Sequence, residues 1–482
     1  MSIPVYPYLS ALRTQLATSL MPRDDEGKKT AIYAHRTLTH LLLQLDTLPA
    51  LQQKTLGQYA GLLDELIGEL SPIDGGMILT PWLIRHVRAK PDYVQAEPLL
   101  QNAVRLLTSA PTANGARLLR AIAAIALELQ DAIKEAVRSH EIKSSGAEIA
   151  ADPLSDSQKS AFRAYLRGKF PDEAALDVGT AKAVVGGGSK QTLFVELRDT
   201  RRLPRTIVVR LDRSDGVGRK SVVNEFVLLE AVHQAGLLVP QPFAVEPDAS
   251  LLGAPFMVTS LMEGHSLGDW TEISEPSRAF AAGLARTLAK LHRISPERLG
   301  DAIVGANMTT RERMRQDIAK FENSWRTLSQ PSIALELAYA WLRERMEFAE
   351  GERAIIHCEL GTPNMLGKDG ELTAVLDWEE AVIGNPAQDL TYVRPAVVQM
   401  MPWEEFLAEY ERSGGVIPTV GEMDFYRLWR EVFGMHFLLM ARSLFVSEMS
   451  SSIVLGYVSQ HVYHRFEHDL HETVEMLYDR YR

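Results

Sequence analysis

HCELGTPN, at residues 357–364, followed by LDWEE at 376–380, decides how the rest of the chain is read. A carboxylate, Glu359, precedes an amide, Asn364, by five residues, and a second carboxylate, Asp377, stands thirteen beyond that. Between them LTAVL (372–376) has the texture of a short strand, and KDG (368–370) that of a hairpin turn. Phosphoryl transfer from ATP needs a carboxylate near the acceptor hydroxyl, an oxygen ligand and a second carboxylate for magnesium, and cations for the phosphates. Glu359, Asn364 and Asp377 meet the first three needs. Their intervals are those of a kinase catalytic loop and metal-binding aspartate, except that the first acid is glutamate.

Upstream, LDVGTAKAVVGGGSKQTLFVELRD (176–199) and PRTIVVRLDR (204–213) alternate β-branched and polar residues around a glycine-rich turn, which predicts three antiparallel strands. A helix follows in RKSVVNEFVLLEAVHQAG (219–236), then two strands in QPFAVEPDA (241–249) and APFMVTSLM (254–262). From Ser274 onward the pattern is mainly helical outside the motif region. The first 143 residues are helical too, with apolar positions three and four apart in YLSALRTQLATSL, AIYAHRTLTHLLLQL, LGQYAGLLDELIGEL and ARLLRAIAAIALELQDAIKEAV. IKSSGAEIAADPLSDS (142–157) is small and polar and reads as a linker. The expected division is therefore an all-α bundle of four to six helices over 1–143, a linker over 144–156, a nucleotide-binding lobe over 157–264 and a mainly helical lobe over 265–482.

The segment from about Leu176 to Asp389 resembles the aminoglycoside phosphotransferase and choline kinase family, which is kin to protein kinases. GGGSKQT (186–192) resembles that family's nucleotide loop, Arg210 takes the place of the third-strand lysine, and Glu225 matches the helix glutamate that pairs with it. SLMEG (260–264) resembles the hinge, HCELGTPN the catalytic loop, and LDWEEAVIGNPAQDL (376–390) the metal segment and its following helix. The resemblance implies an α+β, protein-kinase-like, two-lobed phosphotransferase domain preceded by the helical bundle, with ATP and Mg2+ as cofactors. It makes Glu359 the catalytic carboxylate and Asn364 and Asp377 the metal ligands. Gly186, Gly187, Gly188, Ser189, Arg210, Glu225, Ser260 and Met262 become the nucleotide site, with His357 and Asp389 as structural supports. VPQPFAVEPDASLLGAPFMVTSLMEGHSL (239–267) is similar to the branch that accompanies acyl-CoA dehydrogenases and implies a hydroxyacyl-CoA acceptor, and the bundle resembles a small helical companion of some of those kinases. An aminoglycoside-type antibiotic kinase and a nucleotide-binding pseudokinase acting on a partner are the alternatives.

Three departures stand out. Glutamate at 359 replaces the family's aspartate, Cys358 replaces glycine, and Arg210 is a planar fork where a lysine is a point charge. Cys358 lacks the paired histidine and oxyanion loop of a cysteine hydrolase. His461, His464, His468 and His471 share a helical face, but Val462, Phe466 and Leu470 beside them predict a packed surface rather than a metal site. Met435, Phe437, Leu438 and Met440 are expected as helix core.

Composition limits the remaining classes. A formal charge of −11 over 482 residues argues against nucleic acid as the partner. Without a basic, apolar leader or an 18-residue apolar run, the expected address is the cytoplasm with no membrane partner. One cysteine excludes an internal disulfide and fits a reducing compartment. The expected partner is a small-molecule hydroxyl acceptor, and the bundle leaves room for self-association or a partner protein.

Overall fold

The computed structural model describes residues 25–138, 152–184, 190–212, 220–268, 273, 275–297, 303–328, 330–447, 459 and 462–481. Among the described residues four α-helices come first: α1 (Asp25–Leu70), α2 (Gly76–Leu83), α3 (Tyr93–Ser109) and α4 (Ala113–Arg138). AIYAHRTLTHLLLQL and LGQYAGLLDELIGEL, which read as separate apolar stripes, run on as the single helix α1. Pro49 lies inside it on an exposed turn, so the carbonyl left without an N–H partner can reach water. Helix α5 (Asp156–Lys169) starts where the polar tract supplies a reciprocal cap between Ser155 and Gln158.

The next lobe is a five-stranded antiparallel sheet of β1 (Asp177–Val184), β2 (Lys190–Arg198), β3 (Thr206–Asp212), β4 (Pro242–Glu246) and β5 (Phe256–Ser260), in spatial order β1-β2-β3-β5-β4. Period-two alternation divides its faces. Leu193, Val195, Ile207, Val209, Leu211, Phe256 and Val258 pack with Phe162 and Leu166 of α5 into one core. The opposite face of β2 and β3 therefore carries Lys190, Thr192, Arg210 and Asp212, because Lys190 pairs with Asp212 and Thr192 with Arg210. Helix α6 (Val222–Gln234), between β3 and β4, buries Phe226, Leu229 and Val232 in a second core with Phe280, Leu284, Leu288 and Val375 of the following lobe. The helix that bears Glu225 is thus packed across both lobes.

That following lobe holds β6 (His265–Ser266), α7 (Arg278–His292), α8 (Thr310–Thr327), α9 (Ile333–Glu344) and β7 (Ala354–Ile356). It continues with β8 (Met365–Lys368), β9 (Glu371–Val375), β10 (Val382–Gly384), α10 (Ala387–Val397), α11 (Trp403–Arg412), α12 (Val420–Val446) and α13 (Tyr463–Arg480). Two small antiparallel sheets, β6-β8-β9 and β10-β7, present the motif region. The KDG turn joins β8 to β9 with both Asp369 and Gly370 at positive φ, the type I′ geometry that matches strand twist. The two-lobed α+β architecture read from the motif order is the one present.

The bundle does not stand apart from this lobe. Leu56, Leu63, Leu100, Ala103, Leu118 and Ile122 share one core with Leu335 and Ala338 of α9, Trp429 and Val432 of α12, and Leu470 and Val474 of α13. Met435 and Leu438 are buried in it as expected, while Phe437 and Met440 are half-buried. Gln101 stitches the seam, donating to Glu336 at 3.2 Å and accepting from the Ser332 N–H at 3.2 Å. His468 meets Asp131 of α4 at 2.6 Å and His471 is buried. His461 and the side chain of His464 lie outside the described residues. No helix among the described residues is long and apolar enough to cross a membrane.

Leu100→Ala should cost about 2–5 kcal/mol, as a buried leucine truncation does. Because the core is shared, bundle and C-terminal lobe should melt together at a lower temperature. Two separated transitions, followed by circular dichroism and tryptophan fluorescence, would show that the bundle unfolds by itself.

Candidate active site

Asp389, near the start of α10, is fully buried, and three donors converge on its carboxylate. The backbone N–H of His357 donates to Oδ2 and that of Cys358 to Oδ1, each at 2.8 Å, and His292 Nε2 lies 3.1 Å from Oδ2. The loop is bent to meet it, with Cys358 at φ 70°, a conformation that non-glycine residues rarely adopt. The family's glycine would take it without strain.

His357 has no exposed surface and joins two backbone segments. Its Nδ1 accepts the Glu359 N–H at 3.2 Å, so its Nε2 carries the proton donated to the Leu376 carbonyl at 2.9 Å. Burial depresses its basicity, and its ring packs 4.7 Å from that of Trp378. A neutral imidazole with both nitrogens engaged is a scaffold, not a proton carrier. Asn364 donates its side-chain amide to the Glu359 carbonyl at 3.0 Å, and its own backbone carbonyl accepts the Leu376 N–H at 2.8 Å. Glu359, Asn364 and the residue before Asp377 are thereby held in one hydrogen-bonded unit.

Arg210 reaches this unit from β3. Its Nη1 donates to Glu225 Oε1 at 2.5 Å and its Nη2 to Asp377 Oδ1 at 2.7 Å, a bridge between helix α6 and the metal segment. Glu225 Oε1 also accepts the Trp378 N–H at 3.2 Å, while its Oε2 is buried without a hydrogen bond. Burial, opposed by Arg210 and reinforced by Asp377 and Glu379, pushes the Glu225 carboxyl up to about 7. Asp377 has φ 65°, so the chain turns at the residue whose carboxylate faces the cleft. Ser260, the last residue of β5, accepts the Gln241 N–H through its hydroxyl at 2.9 Å, and its Oγ lies 3.7 Å from Met262 Sδ. Gly186, Gly187, Gly188 and Ser189 lie outside the described residues.

The structure adds groups that sequence inspection did not single out. Lys190, 5% exposed, lies 3.0 Å from Asp212 and 3.3 Å from Glu379. On the other side of Glu359, Tyr392 of α10 feels the Glu359 charge, and Arg430 stands 5.6 Å from its ring centre. A lysine opening an alternating strand carries no mark of burial, and Tyr392 and Arg430 stand far apart in sequence. Cys358 is buried and desolvation pushes its thiol up, the reverse of an activated nucleophile.

Two lobes, a cleft-facing sheet with a cation–carboxylate pair, and a loop joining carboxylate, amide and carboxylate define the kinase-like class of phosphotransferase folds. Residues 180–429 match the model of the APH phosphotransferase enzyme family, over half of the chain, and the chain belongs to that family. It is similar to acyl-CoA dehydrogenase family member 11, being 25% identical to the Rattus norvegicus protein over 226 residues, 42% of this chain and 29% of the relative. For the Homo sapiens protein the figures are 26% over 212 residues, 41% and 26%. The chain thus spans less than a third of those relatives. It is also 24% identical to the Escherichia coli hygromycin-B 4-O-kinase over 190 residues, 38% of this chain and 53% of that one. A candidate aminoglycoside phosphotransferase structure from Ralstonia eutropha shares the fold, with a TM-score of 0.51 at 18% identity, covering 66% of this chain and 98% of that one.

Arg210 and Glu225 are expected to act as a unit. In a double-mutant cycle with alanine at each position, the combined loss in kcat/KM should be clearly smaller than the sum of the single losses. Full additivity would mean that the two side chains do not work together.

Proposed function

We propose that this protein is an ATP- and magnesium-dependent phosphotransferase that phosphorylates a hydroxyl of a small anionic molecule, a hydroxyacyl-CoA being the acceptor favoured. The observation that carries the reading is the bonded unit of Glu359, Asn364 and Leu376, with Asp377 next in the chain facing the Arg210 fork. The residues fit a magnesium ion. The cleft-facing surface sets the carboxylates of Asp212, Glu225, Asp377 and Glu379 against the cations of Lys190 and Arg210, an acidic excess suited to a divalent cation. Asn364 spends its amide N–H on Glu359, which reserves its Oδ1 for a cation.

In this mechanism the hinge at Ser260–Met262 receives the nucleotide base, and residues 186–189 with Arg210 hold its phosphates. Asp377 and Asn364 would hold magnesium, which when bound would supply charge neutralisation for the phosphates. Glu359 accepts the proton of the acceptor hydroxyl as the acceptor oxygen bonds to the γ-phosphorus and the bond from that phosphorus to the ADP oxygen breaks. His357 and Asp389 keep the loop in register without exchanging protons. The longer reach of glutamate is met by a loop re-spaced around it, with Cys358 already in the left-handed turn.

Cationic side chains on α10 and α12, the helices that carry Tyr392 and Arg430, support an anionic acceptor. Among the described residues Arg394 of α10 and Arg427 of α12 have no carboxylate within salt-bridge distance; Arg394 stacks on Trp403 within electrostatic reach of Arg427, Arg480, Glu404 and Asp424, and Arg427 donates to Met476 Sδ. The nearby acids are engaged, Asp424 by Arg480 at 2.5 Å and by Tyr481 at 2.8 Å, and Glu431 by Arg430 at 2.5 Å. A polycationic aminoglycoside calls for the opposite sign, whereas the phosphates of a CoA thioester suit guanidinium groups that no carboxylate neutralises by a direct ion pair. Kinship with proteins named for acyl-CoA dehydrogenation supports the same acceptor.

ADP release with panels of hydroxyacyl-CoAs, aminoglycosides and choline analogues tests this. Turnover is expected with a hydroxyacyl-CoA, and Arg427→Ala should raise KM for it while leaving KM for ATP unchanged. Turnover with aminoglycosides alone would overturn the acceptor, and nucleotide binding without any turnover would favour a pseudokinase. Asp377→Ala should abolish magnesium-dependent turnover in a folded protein. Glu359→Gln should lower kcat by roughly 10²–10⁴ with little change in nucleotide affinity. Unchanged rates in these variants would remove both residues from the mechanism.

A further inference from the structure

Lys190 opens β2 immediately after the glycine-rich loop, and Glu379 stands two residues beyond Asp377. The two side chains are 5% and 1% exposed as residues. An ammonium group so deeply buried needs an acceptor for each of its three protons. It donates one proton to the Lys220 carbonyl at 2.5 Å, and two carboxylate oxygens lie within ion-pair distance, Asp212 Oδ1 at 3.0 Å and Glu379 Oε2 at 3.3 Å.

Each of these oxygens belongs to a different part of the cleft. Asp212 ends β3 and also caps α6, accepting from the Ser221 hydroxyl at 2.6 Å and from the Val222 N–H at 3.0 Å. Lys220 leads into α6, and its own ammonium donates to the Ala381 carbonyl at 3.2 Å. Glu379 belongs to the metal segment. One buried cation therefore joins the stem of the phosphate loop, the start of the helix that carries Glu225, and the segment that carries Asp377.

We infer that Lys190 and Glu379 form a second clamp between the lobes, parallel to Arg210–Glu225, which fixes the start of β2 against the segment that carries Asp377. Lys190 is a positioning residue: with one proton on the Lys220 carbonyl and its charge set between two carboxylates, it is not a ligand of the nucleotide phosphates. The two clamps divide the work. Arg210 is 15% exposed at its side chain and reaches the cleft, whereas Lys190 lies behind it, two residues along the same strand pair and on the same face. A phosphoryl group held between the two lobes is sensitive to that spacing, since a misplacement of about 1 Å can cost on the order of a hundredfold in rate.

The inference rests on the phosphotransferase reading, which wild-type ADP release tests separately. Lys190→Met and Glu379→Gln should each lower kcat by about ten- to a hundredfold, with the dissociation constant for a non-hydrolysable ATP analogue within about threefold of wild type. The double variant should be no slower than the slower single one. Assays are run below the melting transition of every variant, so that loss of fold is not read as loss of rate. The clamp is overturned if the losses in the double variant are additive, or if kcat is unchanged. It is also overturned if Lys190→Met weakens nucleotide binding in step with kcat while Glu379→Gln is silent, because Lys190 would then be a phosphate ligand. Should the wild type show no turnover, the phosphotransferase reading fails and hydrogen exchange still judges the clamp. Amides of 190–193 and of 378–381 should exchange faster together in either single variant, and acceleration of one segment alone would refute it.

Discussion

The carboxylate of Asp389 is the point on which the site depends. A charge with no solvent contact is tolerable only where donors replace the lost water, and here the N–H groups of His357 and Cys358 and the ring of His292 do so. The two backbone donors are consecutive, so both can aim at one carboxylate only if the chain bends at Cys358, which is where φ turns positive. That bend sets the direction in which Glu359 leaves the loop, and His357 carries the constraint onward to the Leu376 carbonyl, next to Asp377. Tyr410 of α11, bonded to His292 Nδ1 at 2.8 Å, anchors the far end in the helical lobe. Removing one donor would leave a buried charge under-solvated, so the loop conformation is held by electrostatics as much as by packing.

Arginine at 210 changes the character of the cleft. A lysine offers one ammonium, whereas the planar fork gives Nη1 to Glu225 and Nη2 to Asp377 at once. Glu225 meanwhile takes the Trp378 N–H, so helix α6, strand β3 and the metal segment close a three-sided contact around two carboxylates. Acids still outnumber cations there, and this imbalance raises Glu225 toward neutrality as burial does. The cleft therefore carries more negative charge than its own cations balance.

Packing explains why these contacts keep their register. Helix α6 buries its apolar face against α7 and β9, so Glu225 moves with the lobe that carries Asp377 rather than with the sheet alone. Behind that lobe, α1, α3 and α4 extend the core of α9, α12 and α13, and the helix whose Arg430 packs on Tyr392 is backed by the bundle through Trp429 and Val432.

The sequence by itself determined the order of the elements and the chemistry of the loop. Alternating residues in TIVVRLD placed Arg210 on the face opposite Ile207 and Val209, and KDG required a tight hairpin. The spacing of Glu359, Asn364 and Asp377 limited the reaction class, because those signals are local and periodic. What only the tertiary structure decided was which distant residues share a desolvated space. Lys190 reads as an ordinary strand residue until Glu379, 189 positions later, is folded against it. The polar linker likewise hides that bundle and lobe share one core, and Arg394 and Arg427 reveal their lack of carboxylate partners only when α10 and α12 lie side by side. Burial and charge pairing are properties of surroundings assembled from remote segments, and no window along the chain contains them.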